Sequence, residues 1–309
     1  MDLNEKTRDK SRKSTNLILV LTCYFIWGFQ PLYFNQMDVD AMFLLTMRML
    51  TGGLLLVIYL LLAGRGGELK EAFMDKDLMW KHLIPAAIFN FLDWGIYTWA
   101  VMNGHIMDSS MGYYVTPLVV CFVGIIFFKE KITWESIAGV VLIVVGILVS
   151  GSGFSNAPWI SISLMFCFPF YSLFMKSVKV DGMISTAIQL ICASPFCIGY
   201  ILIARRGMDG LGGMDFGEFA FLVGAGLATV IPIVCYAAAV RFLPLTLMGF
   251  LQYLSPTFSI LCGYILGQSM SHDQFISYLF IWAGVIIYSI VSAYRSKKEI
   301  NNDIKNSSV

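Results

Sequence analysis

Long apolar segments alternate with short polar connectors over almost the whole chain. Each apolar segment is about 20 residues long, which is the length an α-helix needs to cross a bilayer. The pattern therefore predicts ten membrane-spanning helices and an all-α polytopic membrane protein. These spans fall at about 17–36, 41–63, 82–103, 107–128, 133–150, 157–176, 183–203, 217–239, 246–267 and 273–294.

The basic residues follow the same alternation. If the N-terminus is cytoplasmic, 18 of the 21 lysines and arginines fall on the cytoplasmic side. The outer loops hold only Arg205 and Arg206, and Arg48 lies inside span two. An excess of Lys and Arg marks cytoplasmic loops. We therefore expect a multi-pass plasma-membrane protein whose N-terminus and C-terminus are both cytoplasmic.

Part of span four returns in span nine. YVTPLVVCFVG at 114–124 and YLSPTFSILCG at 253–263 share Tyr, Thr or Ser, Pro and Gly at a spacing of 139. Matching proline-containing spans in two halves indicate a duplicated unit. Because each half has an odd number of spans, the two five-helix repeats must be inverted relative to each other. The predicted organisation is a cytoplasmic tail at 1–16, a first repeat at 17–150, a second repeat at 157–294 and a cytoplasmic tail at 295–309.

Composition supports this class and excludes several functions. The chain is 58% hydrophobic and only 13% charged, whereas about a quarter of the residues in soluble domains are charged. A net charge of +1 gives no reason to expect nucleic acid as a partner. The cysteines and histidines lack metal-ligand spacing, and no nucleotide-binding or nucleophile motif is present. We therefore expect no metal, no cofactor and no nucleotide-driven transport by this chain alone.

Several stretches carry a family resemblance, namely YFIWGFQPLYF (24–34), WAVMNGHIMDSSMGYYVTPLV (99–119), GFLQYLSPT (249–257) and FIWAGVIIY (280–288). In these stretches the chain resembles the drug/metabolite transporter superfamily, its EamA-type ten-helix members and, within them, the RarD proteins. The resemblance extends over about residues 17–294, and KEKITWESIAGVVLIVVGI at 129–147 is similar to the end of an EamA repeat. It implies a transporter and favours export, but it does not give a substrate.

Two positions depart from the pattern of that family. Asp93 stands where the family more often has Asn, which bears on ligand choice and on proton coupling. Gln268 stands where the second repeat usually keeps Glu, and this change affects a helix-end contact.

Two charged residues lie inside predicted spans. Arg48 lies about 10 Å below the outer face at 1.5 Å per residue, and Asp93 lies near the middle of span three. A central charge costs roughly 2.5–3.5 kcal/mol, so neither side chain is expected to face lipid unpaired. In one interpretation both face a cavity, where Arg48 binds an anionic group and Asp93 binds a cation or carries a proton. In the other they form a structural ion pair between neighbouring helices.

Aromatic and amide residues inside the spans are the remaining candidates for a pocket wall. An amide in the middle of a span needs a partner, which can be another helix or a ligand. Packing is the alternative role for each aromatic ring. The predicted substrate-binding residues are Trp27, Gln30, Arg48, Asp93, Trp94, Tyr97, Tyr114, Tyr236, Gln252 and Tyr253.

Prolines inside the spans predict bends. A proline removes one helical hydrogen bond and leaves carbonyls that a ligand or a neighbouring hydroxyl can satisfy. The matched positions in spans four and nine favour hinges or binding-site lining over static kinks. The candidate hinge or helix-interruption residues are Pro31, Thr116, Pro117, Ser255 and Pro256.

The function that fits these features is a secondary transporter of small metabolites or drug-like amphiphiles. It would work by alternating access between the inverted repeats, without enzymatic activity. The alternatives are a membrane-embedded enzyme acting on lipid, which would need a clustered nucleophile, metal site or acidic pair, and a non-transporting scaffold or sensor. The expected partners are a small-molecule substrate, with proton coupling through Asp93, and the lipid bilayer. A GxxxG at 263–267 leaves a monomer and a weak homodimer both open.

Overall fold

The computed structural model describes residues 3–130, 157–204 and 215–269, together with single positions between 134 and 145 and between 272 and 287. Side chains are described from residue 14 onward. Within these residues the regular secondary structure is helical throughout. The helices are α1 Leu3–Phe34, α2 Ala41–Leu62, α3 Gly66–Met74, α4 Lys76–Leu78, α5 Ile84–Met102, α6 Ile106–Phe128, α7 Pro158–Lys176, α8 Gly182–Ala204, α9 Phe216–Ala239, α10 Leu245–Gln252 and α11 Leu254–Ile265, and a short π-helical turn, Met79–Leu83, joins α4 to α5.

Polar caps and glycines set where the helices begin and end. The Asp40 side chain accepts from the amides of Met42 and Phe43 at the start of α2. Asp215 and Glu218 form a reciprocal capping box at the start of α9. Gly64 and Gly104 have positive φ angles of 71° and 78°, and they end α2 and α5 in a backbone conformation that other residues rarely adopt.

Seven helices of the described part are long and apolar enough to cross a membrane. They correspond to predicted spans one, two, four, six, seven, eight and nine, with α10 and α11 together forming the ninth. The helix of span three, Ile84–Met102, has 19 residues but carries Asn90 and Asp93 and is less apolar. Spans five and ten lie largely outside the described residues. The polytopic all-α class is confirmed, whereas the count of ten and the orientation stay predictions.

The helices pack so that the first half of the chain interleaves with the second. Helix α1 packs on α9 and α11, and α7 correspondingly packs on α5 and α6. Helix α2 lies against α9 at a glycine crossing, where a Cβ on Gly52 would stand 2.6 Å from Val230 Cγ2 and 3.0 Å from the Gly226 carbonyl. Gly263, from the GxxxG, packs on Met107 of α6 within the same chain.

One carboxylate joins α6 to α10 at the end of the bundle where α6 ends. Glu130 accepts three hydrogen bonds, from the amides of Leu245 and Thr246 and from the Thr246 hydroxyl, at 2.8, 3.0 and 2.7 Å. Gly124 leaves room for this carboxylate, since a Cβ there would stand 2.7 Å from Glu130 Oε2. An anion at the first turn of α10 also interacts favourably with the helix dipole. We call this contact the Glu130 clasp, this end of the bundle the Glu130 end, and the opposite end, where α1 ends, the Phe34 end.

Candidate functional site

A cavity of about 460 Å³, counted out to its mouth, lies between the two halves of the chain. Helices from both halves supply its walls, namely α1, α5 and α6 from the first and α7, α10 and α11 from the second. Trp27 and Gln30 belong to the last two turns before α1 ends, and Asp93 is in the middle of α5. The cavity therefore extends from mid-bundle toward the Phe34 end. Its lining residues are Trp27, Gln30, Asp93, Trp94, Tyr97, Tyr113, Phe168, Gln252, Ser255, Pro256 and Ser259.

Asp93 supplies a carboxylate to this cavity. The residue is 2% exposed, and Tyr113 donates a hydrogen bond to its Oδ2 at 3.0 Å. Its Oδ1 has no hydrogen-bond partner within the described residues. A buried carboxylate oxygen without a donor is unfavourable, because the water it gave up is not replaced. Asp93 thus has one oxygen held by the protein and one left for another group.

Arg48 lies behind the cavity wall rather than in it. The residue is 1% exposed, and its Nε and Nη1 donate to the hydroxyls of Thr229 and Thr98 at 2.8 and 2.7 Å. Its guanidinium carbon also lies 4.5 Å from the centre of the Phe34 ring and 5.4 Å from that of Trp94. The guanidinium is therefore enclosed by hydroxyls and aromatic faces. The ion pairs found among the described residues do not include one between Arg48 and Asp93.

The two candidate amides both line the cavity but differ in their contacts. Gln30 donates through Nε2 to the Ala228 carbonyl at 2.9 Å, which ties α1 to α9. Gln252 is 4% exposed, and its Oε1 has no partner within the part of the chain that is described. Gln252 is also the last residue of α10, next to the break before α11.

A cluster of aromatic residues lies behind the cavity toward the Glu130 end. The ring of Tyr236 is 5.8 Å from Trp27 and 5.1 Å from Phe168, and its hydroxyl shares a 2.6 Å hydrogen bond with Ser172. Tyr24 donates to the Met248 carbonyl at 3.1 Å, which ties α1 to α10. These contacts place Tyr236 under the cavity, outside the residues that line it.

Tyr114 and Tyr253, the matched tyrosines of the repeat, contact each other. Their ring centres are 5.9 Å apart, and the Tyr114 hydroxyl lies 3.2 Å from that of Thr257. Both residues are buried beside the cavity, and neither lines it.

The prolines differ in their effect on the helices. Helices α1 and α6 continue through Pro31 and Pro117, and Thr116 donates to the carbonyls of Gly112 and Leu164. In span nine the helix breaks at Tyr253, and Ser255 and Pro256 just beyond the break line the cavity.

Three lining residues, Tyr113, Phe168 and Ser259, were absent from the predicted set. Ser259 follows Gln252 and Ser255 at helical spacing. The sequence therefore places these three polar residues on one face of span nine, and Ser259 could have been predicted with them. Tyr113 lies one turn before Pro117 on the same face of α6, and this position could also have identified it as a lining residue. Phe168 is one of several phenylalanines in α7, and the sequence offers nothing to distinguish it from a core residue.

A bundle of long apolar helices around a central cavity with a buried carboxylate defines a polytopic membrane protein built to accommodate a small molecule. Comparison with known proteins gives the family. The sequence profile described as the EamA-like transporter family matches residues 14–152 and again 157–290. The chain belongs to this family and is a multi-pass membrane transporter of the drug/metabolite type in the plasma membrane, so the resemblance and the predicted localisation are confirmed.

Individual relatives agree with this assignment. The chain is 28% identical to the protein RarD of Escherichia coli over 94% of its own length and 99% of that protein. It is 29% identical to an uncharacterized transporter of Pseudomonas aeruginosa, over 92% of this chain and 95% of the relative. A solved crystal structure aligns with a TM-score of 0.68 at 17% identity, over 90% of this chain and 98% of that one, which shows a shared fold.

Proposed function

We propose that this protein is a secondary transporter that binds a small metabolite or drug-like amphiphile in the central cavity. The observation that carries this proposal is the position of Asp93, at the middle of a spanning helix, in a cavity walled by both halves of the chain. Substrate sites of transporters built from repeats lie near the midplane between the repeats. Family resemblance favours export.

Alternating access between two inverted five-helix repeats is the proposed mechanism. Three features support it. One family profile matches each half, the helix packing partners of the halves correspond, and the distribution of the basic residues predicts opposite insertion. In this structure the Glu130 clasp and the aromatic cluster around Tyr236 separate the cavity from the Glu130 end. In the predicted orientation the cavity is therefore turned toward the outside, and the Glu130 end would open in the other half of the cycle.

Proton coupling through Asp93 is part of the proposal. Its buried carboxylate is stabilised by one donor, Tyr113, and a proton or a cationic ligand group would satisfy the other oxygen. Among the described residues, the other titratable groups near Asp93 are Arg48, the hydroxyls of Tyr97, Tyr113 and Tyr171, and the Cys167 thiol. Binding of one partner would then exclude the other, which couples substrate movement to a proton.

The test is a metabolite-uptake screen with purified protein in proteoliposomes, with and without a pH gradient. We expect at least one solute to move, its uptake to respond to the gradient, and Asp93→Asn to remove that response. Asp77→Asn, which changes an exposed carboxylate in the same way, is the matched control and should behave like the wild type. The proposal fails if no solute moves, or if a lipid is chemically altered instead.

A further inference from the structure

We propose that the substrate is an organic cation, an amine joined to a planar apolar group, with its N–H donors bound by Asp93 and Gln252. This inference rests on the proposed function and names the substrate class for the same cavity. It differs from the sequence expectation, in which Arg48 also served the ligand by binding an anionic group.

The charge of the cavity gives the first argument. Among the described residues that line it, Asp93 is the charged one. Arg48 lies behind Trp94 with two of its nitrogens bonded to Thr98 and Thr229. A ligand in the cavity therefore contacts the carboxylate of Asp93 directly, whereas the indole ring of Trp94 separates it from the guanidinium of Arg48. An anionic ligand would lie beside a carboxylate without a direct cationic partner, and burial makes that arrangement costly.

Hydrogen bonding gives the second argument. Donors on three lining residues are already used within the protein: Gln30 Nε2 on the Ala228 carbonyl, the Tyr113 hydroxyl on Asp93, and the Ser259 hydroxyl on the Gly28 carbonyl. The acceptors Asp93 Oδ1 and Gln252 Oε1 have no partner within the described residues, and neither has the Tyr97 hydroxyl, which can accept or donate. Acceptors that cannot donate therefore outnumber the one hydroxyl that can do either. A site with unused acceptors favours a ligand that donates. A protonated amine donates and also carries the charge that matches Asp93.

The aromatic walls give the third argument. Trp27, Tyr113 and Phe168 line the cavity from three different helices, α1, α6 and α7. Aromatic faces attract cations and pack against planar apolar groups. These three rings suit a ligand that carries a single aromatic ring on a short aminoalkyl arm.

Three probes that share one ring and differ only in the head group test this inference. Phenethylamine, 2-phenylethanol and phenylacetate present a cation, a neutral hydroxyl and an anion. Their binding to purified protein in nanodiscs is measured by tryptophan fluorescence, since Trp27 and Trp94 line the cavity. We expect phenethylamine to bind at least tenfold more tightly than 2-phenylethanol, with phenylacetate weakest. Equal affinities, tightest binding of phenylacetate, or no phenethylamine binding at millimolar concentration would overturn the inference.

Variants separate the role of Asp93 from a general effect on the fold. Asp93→Asn should remove the preference for the amine while 2-phenylethanol affinity stays within about twofold, because an amide keeps shape but not charge. Asp93→Glu should retain the preference, and Asp77→Asn should match the wild type. If Asp93→Asn keeps the amine preference, the inference is wrong. If Asp93→Asn does not fold, the ranking of the three probes in the wild type still decides.

The same samples distinguish this inference from the proposed function. Transport of a neutral or anionic metabolite without amine binding would overturn the inference and leave the transporter function in place. Amine binding that depends on Asp93, in a protein that moves no solute, would support the cation site and contradict transport.

Discussion

Arg48 and Asp93 are both buried charges inside the spanning helices, yet their surroundings give them different roles. Arg48 is bonded to two threonine hydroxyls and covered by Phe34 and Trp94. Asp93 lines the cavity, and one of its oxygens receives no hydrogen bond from the residues that the structure describes. The guanidinium therefore holds α2, α5 and α9 together, whereas the carboxylate lies beside the cavity, where the proposed function has it meet a ligand or a proton.

Arg48→Ala should lower the free energy of unfolding by about 2–4 kcal/mol. The change removes two charge-assisted hydrogen bonds and leaves a void between Phe34 and Trp94. Thermal unfolding in detergent or lipid nanodiscs measures it. Arg65→Ala is the matched control. Arg65 pairs with Glu68 and, at 3.4 Å, with Asp181, and because both carboxylates are exposed these pairs should contribute less than about 1 kcal/mol. Equal losses in the two variants would contradict the assigned role of Arg48.

The sequence rule for intramembrane polar residues found Asp93, Gln30 and Gln252 because burial makes each of them need a partner. The same rule selected Arg48, and it could not distinguish a residue that is satisfied by Thr98 and Thr229 from one that faces a cavity. Those two hydroxyls come from helices distant in sequence, so only the packed bundle reveals them. Tyr114, Tyr236 and Tyr253 show the same limit, because aromatic character fits a wall and a core equally well.

At the scale of helices, the small residues at crossings decide how closely the two halves approach. Gly52 of α2 and Gly226 of α9 face each other, and a Cβ on Gly226 would stand 2.6 Å from the Gly52 amide nitrogen. Backbone cannot move aside as a flexible side chain can. The contact between α2 and α9 therefore depends on glycine at both positions.

Gly52→Ala should destabilise the fold by about 1–3 kcal/mol, because the added methyl group forces α2 away from α9. Thermal unfolding monitored by circular dichroism measures the loss. Gly199→Ala in α8 is the control, since nothing lies within 4 Å of the position its Cβ would take. It should be neutral or slightly stabilising, as alanine is the better helix former. If Gly52→Ala is equally harmless, the close α2–α9 crossing is contradicted.

The helices themselves could largely be read from the apolar pattern, but their irregularities could not. The repeat predicted similar interruptions at Pro117 and Pro256. The structure instead keeps α6 continuous and breaks span nine at Tyr253. In α6 the Thr116 hydroxyl bonds to the carbonyls of Gly112 and Leu164, and this local bonding accompanies an unbroken helix. Such differences arise from neighbours in space, which two similar sequence segments do not share.

At the scale of the whole molecule, the two halves meet in the cavity and again at the Glu130 clasp. The clasp holds the first turn of α10, and α10 carries Gln252 at its other end. One short helix therefore connects the Glu130 end to the cavity wall.

Glu130→Ala should increase hydrogen–deuterium exchange at the start of α10. The amides of Leu245 and Thr246 lose their acceptor, so they open to solvent more readily. Mass spectrometry of peptides that cover 245–252 measures this increase, with peptides from α2 as an internal reference. Glu71→Gln, at an exposed position of α3, should leave the exchange unchanged. Unaltered exchange in Glu130→Ala would show that the clasp does not hold α10 in place.

The clasp also has a consequence for timing. Its three hydrogen bonds share one carboxylate, so a movement that withdraws the Glu130 side chain breaks all three. In the proposed cycle a half-open Glu130 end would then have no stable form, and opening would be an abrupt event with its own waiting time. That waiting time would limit how many molecules are carried per second even when the cavity is saturated. Turnover in this protein would thus depend on the clasp as well as on the residues that line the cavity.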